Sequence, residues 1–372
     1  MKKNSKKILI CGGAGFMGSH FTRHIYTKYP KYKIYNYDLL TYAGNLDNLR
    51  DIVEKEKKLL KKNRRYKFIK GDINDKVLLE SLIKKEQFDV VINFAAESHV
   101  DRSILNAIEF IRTNIQGAYI LLDLVYRLNV PRYIYISTDE IYGDIPMGRK
   151  ATELSPLQPT NPYSASKASA DLMVQSYIKT HKVPAIILRS SNNYGTHQNP
   201  EKLHSLVITN LLEGKQIPIH GKGNHERSWL NVKDFCTALD LILHKGKSFE
   251  IYNVSGEEKN NLEVIRTIAR ILKVNYKKFI YHVHDRPGPD FRYAQSHKKI
   301  TRELGWKPLN SYKESIGDII SWYETNVKWW KKIKKNPDFS KHYDKQAKGY
   351  YTFEEAKNYH RHWVQEDNPD EI

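Results

Sequence analysis

The sequence predicts an α/β protein: a doubly wound, parallel sheet over the first two-thirds of the chain, then a smaller α/β lobe. Three observations carry this. Short β-rich runs alternate with helix-length stretches, the pattern of βαβ units. A glycine-rich turn joins the first such run to the first helix. After about Tyr194 the strand-like runs become short and scattered.

In chain order, KKILICG reads as a short buried strand, and SHFTRHIYTKY as a helix with Phe21, Ile25 and Tyr29 at i, i+4 and i+8. KIYNYD, YKFIKGD and DVVINFAA read as the next three strands. The segment from about Asn106 to Leu128 reads as one long helix, RYIYISTD as the fifth strand, residues 163–180 as a helix and AIILRS as the sixth strand. IPIH, EIYNV and KFIYHV are the scattered later strands, with helices over 262–273 and 312–328 between them. The expected division is a dinucleotide-binding domain over 1–194, with segments possibly returning from the C-terminal half, then a substrate lobe over 195–330. A charged, aromatic extension over 331–372, holding Phe339, Tyr343 and Trp363, completes the chain.

Composition narrows the classes. With 372 residues, 40% hydrophobic and 28% charged, the chain can bury a sizeable core and is neither collagen-like nor wholly disordered. No apolar run approaches the roughly 18 residues of a membrane span, and the four apolar residues before the first glycines are too few for a secretory core. Two cysteines, Cys11 and Cys236, cannot build a disulfide scaffold, so a reducing, cytoplasmic setting is expected. The net charge of +19 invites a nucleic-acid reading. Much of it, however, sits in EKEKKLLKKNRRYK at 54–67, which reads as a solvated helix face or loop insertion. A positive field also favours a nucleotide-diphosphate substrate.

Gly12, Gly15 and Gly18 form GxxGxxG between the first strand and its helix. Lacking Cβ atoms, they let the backbone turn sharply and approach a pyrophosphate, which meets the free N–H groups of the helix start. Asp38 ends the second strand 20 residues beyond Gly18, where an acid binds ribose hydroxyls and favours NAD over NADP. Asp72 and Ile73 follow the third strand, and Ala95, Ala96 and Ser98 the fourth, at the strand ends where open α/β sheets bind ligands. Asp72 suits either a helix cap or an adenine contact.

Tyr163 and Lys167 form YxxxK and share one helix face. An ammonium there is expected to lower the phenol's pKa, letting it take a proton from an alcohol during hydride removal. Thr138, Asp139 and Glu140 end the fifth strand; two adjacent carboxylates in one pocket can be driven apart in pKa to give one acid and one base.

With GGAGFMGSH, YDLLTYAGNL, AAESHVDRSI, STDEIYGD, PYSASKAS, SSNNYG, PEKL, RSWLNVKD and DRPGPDFRYA in one chain, the sequence resembles the extended short-chain dehydrogenase/reductase family, and within it the nucleotide-sugar 4,6-dehydratases, from about residue 6 to 330. The resemblance implies a Rossmann fold, bound NAD and a homodimer joined through helices near 106–128 and 163–180; a stripe of Ile108, Ile111, Ile115, Tyr119 and Leu122 would serve it. It implies NAD contacts from Phe16, Met17, Asp38, Asp72, Ile73, Ala95, Ala96, Thr113, Tyr163, Lys167 and Asn193. Nucleotide-sugar contacts fall to Ser98, Thr138, Asn192, Lys202, Leu203, His220, Arg227, Asn261 and Arg286, the two arginines as diphosphate clamps.

The implied reaction is C4 oxidation through Tyr163, loss of water across C5 and C6 through Glu140 as base and Asp139 as acid, and hydride return to C6. The substrate would be dTDP-glucose or a UDP-sugar; an epimerase, a decarboxylase, or a basic nucleic-acid-binding protein are the alternatives. The Asp139–Glu140 pair, which the sister epimerases lack, speaks for dehydration. Neither a metal nor a membrane is required, and HRH at 360–362 is the only tempting histidine pair. His220 and Pro289 depart from the family pattern where it holds the nucleotide, which leaves the base open.

Overall fold

A computed structural model of the chain describes residues 5–286 and 289–347; Trp363 and the histidine pair at 360–362 lie outside them. The strands are β1 (Lys7–Cys11), β2 (Lys33–Asp38), β3 (Tyr66–Lys70), β4 (Val90–Asn93), β5 (Tyr133–Thr138), β6 (Ala185–Ser190), β7 (Asn192–Tyr194), β8 (Ile217–His220), β9 (Glu226–Asn231), β10 (Ile251–Val254), β11 (Glu257–Asn260) and β12 (Ile280–Val283). The helices are α1 (Phe16–Lys28), α2 (Arg50–Lys57), α3 (Lys76–Glu86), α4 (Val100–Leu105), α5 (Ile108–Phe110), α6 (Ala118–Arg127), α7 (Pro162–His181), α8 (Leu203–Glu213), α9 (Val232–Lys245), α10 (Asn261–Ile271), α11 (Lys298–Leu304), α12 (Tyr312–Thr325), α13 (Val327–Lys334) and α14 (Pro337–Ala347).

Seven strands form one parallel sheet in the order β10-β6-β5-β4-β1-β2-β3. Its inner strands are unbroken buried runs, as a sheet covered on both faces requires. One face packs Ile8, Ile10, Phe21, Phe235, Leu239 and Trp306 beneath α1, α9 and α11. The other packs Leu9, Leu121, Val125, Tyr135 and Val174 beneath α3, α6 and α7. The strand order reverses between β1 and β4, which opens a crevice at their C-terminal ends. EIYNV, grouped by its sequence with the lobe's strands, pairs instead with β6 as the edge of this sheet. The lobe holds a three-stranded sheet, β11-β9-β7, and a parallel pair, β12-β8, around Ile208, Trp229, Ile265, Ile316 and Trp330.

The long helix expected from Asn106 to Leu128 is broken. Asn106 is extended, and its side chain accepts from the Ile108 backbone N–H (3.1 Å), so α4 stops and α5 starts afresh. A π-helical turn, Ile111–Gly117, then separates α5 from α6. The expected apolar stripe divides as well. Leu122 is fully buried against the sheet, whereas Ile108, Ile111 and Tyr119 are 58%, 49% and 42% exposed. The basic insertion is largely exposed, but Tyr66 and Glu56 are buried; Glu56 accepts from Tyr26 Oη and from the backbone N–H groups of Arg65 and Tyr66, which ties the loop down.

Among the described residues no helix is long and apolar enough to cross a membrane, and no group of three or more His, Cys, Asp or Glu could hold a metal.

Candidate active site

One cleft of about 690 Å³ runs from the glycine turn to the lobe. Gly12, Gly15, Phe16, Met17, Gly18, Asp38, Asp72, Ile73, Ala95, Ala96, Thr113 and Asn193 line one part of it. Thr138, Glu140, Tyr163 and Lys167 line its floor, and Ser98, Asn192, Lys202, Leu203, His220, Arg227, Asn261 and Arg286 complete the wall. Of the residues singled out in the sequence only Asp139 is absent from the wall; it is buried beside Glu140.

The glycine turn is built for close approach. Gly12 has φ +79°, and a Cβ there would lie 2.5 Å from the Ala95 nitrogen; a Cβ on Gly18 would lie 2.3 Å from the Gly12 oxygen. No side chain caps the start of α1, so its first N–H groups face outward into the crevice end. Asp38 accepts from the backbone N–H groups of Ala14 (2.9 Å) and Leu40 (2.8 Å), which fixes its carboxylate at the end of β2. Asp72 does not cap α3; Asp75 does, accepting from Leu78 N. Asp72 instead accepts from Asn74 N (2.8 Å) and pairs with Arg112 (3.1 Å) at the cleft edge.

Asn161 and Ser164 form a capping box that starts α7, with Pro162 in its first turn, and this sets Tyr163 and Lys167 on the face toward β5. Lys167 Nζ donates to the Ile136 carbonyl (2.7 Å) and lies over the Tyr135 ring. Burial lowers its pKa to about 7. The Tyr163 phenol goes the other way: burial first, then the Glu140 and Asp139 carboxylates, raise its pKa. Burial and the two carboxylates outweigh any lowering by Lys167, whose Nζ donates to the Ile136 carbonyl.

The acid pair is split as two carboxyls in one buried pocket must be. Burial, then the Glu140 charge, raise the Asp139 pKa well above its usual range. Burial raises Glu140 too, but Arg227 and Lys202 oppose it. The Asp139 carboxyl is thus pushed further from ionisation than the Glu140 carboxyl. Thr138 Oγ1 links them, accepting from Glu140 N (3.3 Å), and Asn192 Nδ2 donates to Glu140 Oε1 (3.4 Å). Among the described residues, Asp139 Oδ2 and Glu140 Oε2 have no hydrogen-bond partner.

The cationic wall is pre-engaged. Arg286 pairs with the buried Asp101 through Nη2 (3.1 Å) and Nε. Arg227 donates to the Asp290 and Phe291 carbonyls (3.0 and 3.1 Å) and lies over the Tyr293 ring. Lys202 donates to the Ser98 carbonyl (2.8 Å), and its pKa is lowered by burial. His220 Nδ1 donates to the His284 carbonyl (3.3 Å), and burial lowers the ring's pKa to about 4. Pro289 also lines the cleft.

Sequence reasoning missed several residues that line the cleft or brace it from behind. Asn114, in the π turn, holds the Glu97 backbone at both ends (2.8 and 2.9 Å) and Ser166 Oγ (2.9 Å), bracing α7 behind the tyrosine. Opening a π turn at such a bridge is a common device near functional sites. Glu97, its pKa raised to about 7 by burial, and Glu201 also face the cleft. Trp329, Lys332 and Asn336 reach it from beyond residue 319.

Fold and cleft together define a doubly wound dinucleotide-type protein with an acid pair and a YxxxK helix at the crevice. The chain belongs to the family described as GDP-mannose 4,6 dehydratase, whose model matches residues 9–319. It is 43% identical over 353 residues to a dTDP-glucose 4,6-dehydratase of Salmonella typhimurium, covering 88% of this chain and 95% of that one. A crystal structure of the dTDP-glucose 4,6-dehydratase of Bacillus anthracis in complex with NAD is 42% identical, with a TM-score of 0.81 over 88% of this chain and 100% of that one. The Streptomyces venezuelae dTDP-glucose 4,6-dehydratase, solved with NAD bound, is 40% identical, with a TM-score of 0.82 over 88% and 100%.

Proposed function

We propose that this chain dehydrates a nucleoside-diphosphate hexose, dTDP-glucose, to the 4-keto-6-deoxy sugar with NAD as resident cofactor. The observation that carries the proposal is the cleft in which Tyr163, Glu140 and the glycine turn meet, with Asp139 buried beside Glu140 and its pKa raised by burial and by the Glu140 charge. The glycine turn fits a dinucleotide, since a Cβ at Gly12 or Gly18 would fill the backbone approach. The Asp38 carboxylate at the end of β2 suits ribose hydroxyls and would repel a 2′-phosphate.

Bound there, NAD supplies the hydride acceptor for C4 and the hydride for C6. The chain supplies the proton chemistry. Tyr163 relays the proton of the 4-hydroxyl, beside Thr138. Glu140 takes the C5 proton once the 4-ketone has acidified it. Asp139 protonates the departing 6-hydroxyl. Arg227, Lys202 and Arg286 neutralise the diphosphate.

The decisive experiment incubates the purified protein with dTDP-glucose, UDP-glucose and UDP-GlcNAc and reads products by mass. Loss of one water from dTDP-glucose, without added reductant, is expected. The two substrates differ by the base methyl, worth about 1–3 kcal/mol, and by the ribose 2′-hydroxyl, which a pocket rejects only about a hundredfold, so UDP-glucose should turn over measurably. An unchanged mass with all three sugars would sink the reading.

The same proposal includes a homodimer and a cytoplasmic setting. Ile108, Ile111, Tyr119 and Tyr126 on α5 to α6, and Leu172 and Met173 on α7, leave an apolar face exposed on adjoining helices. Light scattering at micromolar concentration should give twice the chain mass of 43.6 kDa; a monomer mass would exclude the dimer. Cys11 and Cys236, both free and buried, suit a reducing compartment.

A further inference from the structure

The C-terminal segment beyond the family-model match touches the opposite end of the chain at one well-defined place. In α13, Trp329 Nε1 donates to Asn48 Oδ1 (3.1 Å), 281 residues earlier. Asn48 is buried, in the 3₁₀ turn Leu46–Leu49. Its amide nitrogen donates to the Ala14 carbonyl (2.9 Å), inside the glycine turn. Asn45 N donates to the same carbonyl (3.1 Å), while Ala14 N donates to Asp38 (2.9 Å). Trp329, Asn48, Gly15 and Asp38 all line the same cleft. Beside them Lys332 Nζ pairs with Asp47 (2.6 Å), fastening the same turn a second time.

The amide of Asn48 can satisfy Ala14 only if its oxygen and nitrogen are not exchanged. A side-chain amide offers a donor end and an acceptor end of nearly equal shape. Trp329, a donor with no acceptor, selects the orientation that points the NH₂ group at Ala14. A peptide unit is planar, so holding the Ala14 carbonyl fixes the plane in the middle of the turn that leads into α1. The direction of the N–H groups that would meet a pyrophosphate follows from that plane.

We infer that Trp329 is a positioning residue for the dinucleotide, acting through Asn48 on the Ala14 carbonyl. The C-terminal helix is thereby part of the cofactor site. The inference rests on the NAD reading above, and the test separates the two. Trp329→Phe removes the N–H and keeps a ring against Trp322, which it meets at 5.2 Å between centroids. Its NAD dissociation constant, measured by calorimetry on protein stripped of nucleotide, should rise about three- to tenfold, the span of one ordinary hydrogen bond. KM for the nucleotide sugar and kcat at saturating NAD should stay within about twofold of wild type, within the scatter expected of an uninvolved substitution.

Asn48→Ala should weaken NAD at least as much, and adding Trp329→Phe to it should cost nothing further, because the two act in series. Unchanged NAD affinity in Trp329→Phe, or fully additive effects in the double variant, would overturn the inference. Should Trp329→Phe fail to fold, Asn48→Asp carries the test: it keeps the acceptor for Trp329 and loses the donor to Ala14, and unchanged NAD affinity there overturns the inference equally. Wild-type protein that binds no NAD would overturn the NAD reading and the inference with it.

Discussion

Glu140→Gln is expected to oxidise the substrate at C4 and then stall, with reduced cofactor building up in the near-ultraviolet spectrum. The lost group is the base for the C5 proton, and removal of a general base slows its step by about 10²–10⁴. The earlier step should survive. Glu140 is the largest charge raising the Tyr163 pKa, so neutralising it makes the phenol easier to ionise, not harder. Tyr163→Phe should show the reverse: no reduced cofactor and no product, from the first step onward. Both changes are near-isosteric, and among the described residues Glu140 Oε2 has no hydrogen-bond partner to lose. Rapid-scan absorbance with dTDP-glucose distinguishes them. Reduced cofactor in Tyr163→Phe and none in Glu140→Gln would reverse the assignment of roles.

The second large effect is on stability. Arg189, at 1% exposure, grips Asp171 bidentately through Nε (3.0 Å) and Nη2 (2.8 Å). Its Nη1 donates to Tyr142 Oη (2.7 Å), which donates to Asn253 Oδ1 (2.8 Å). The network ties β6, α7, the turn after β5 and β10 together immediately below the acid pair. The Arg189 pKa is raised, chiefly by the Asp171 hydrogen bonds acting against burial, so the guanidinium stays charged. Asp171→Asn then strands a buried cation, and the expected loss is about 3–5 kcal/mol, read from urea unfolding. Replacing both partners with apolar residues of similar size should recover most of that loss. A single-variant loss below about 1 kcal/mol, the range of an exposed pair, would show the network to be solvated.

What was legible in the sequence is what local pattern encodes. The glycine turn, Asp38 at a strand end and the tyrosine–lysine spacing each depend on residues within a few positions of one another, and the crevice collects them because the sheet order brings strand ends together. Contacts between distant segments were not legible. No periodicity announces that Arg286 will meet Asp101, that Ile251–Val254 will join β6, or that Trp329 will meet Asn48. The π turn at Ile111–Gly117 was hidden for the same reason: it opens where the Asn114 amide bridges Glu97 and Ser166. Leu122 shows how one helix with apolar residues on two faces misleads a stripe drawn by spacing alone. Helical spacing likewise places Lys167 near Tyr163 without saying that its Nζ will donate to the Ile136 carbonyl.

The return of β10 to the edge of the large sheet bears on how such a chain can be recombined. After β6 the chain leaves for the lobe, yet α9 comes back to cover one face of the large sheet, and β10 closes that sheet beside β6. It leaves again for β11 and α10, and α11 comes back once more. A hybrid gene joined to a relative at a single point after Tyr194 would therefore not exchange one substrate lobe for another. It would also import a foreign sheet edge and a foreign helix into the first protein's core, where Phe235, Leu239 and Trp306 must interdigitate with Ile8 and Phe21. Exchange of sugar specificity between such proteins is thus best made through several short segments moved together, or through single residues of the cleft wall, because a wholesale C-terminal transplant carries part of one sheet face's packing with it.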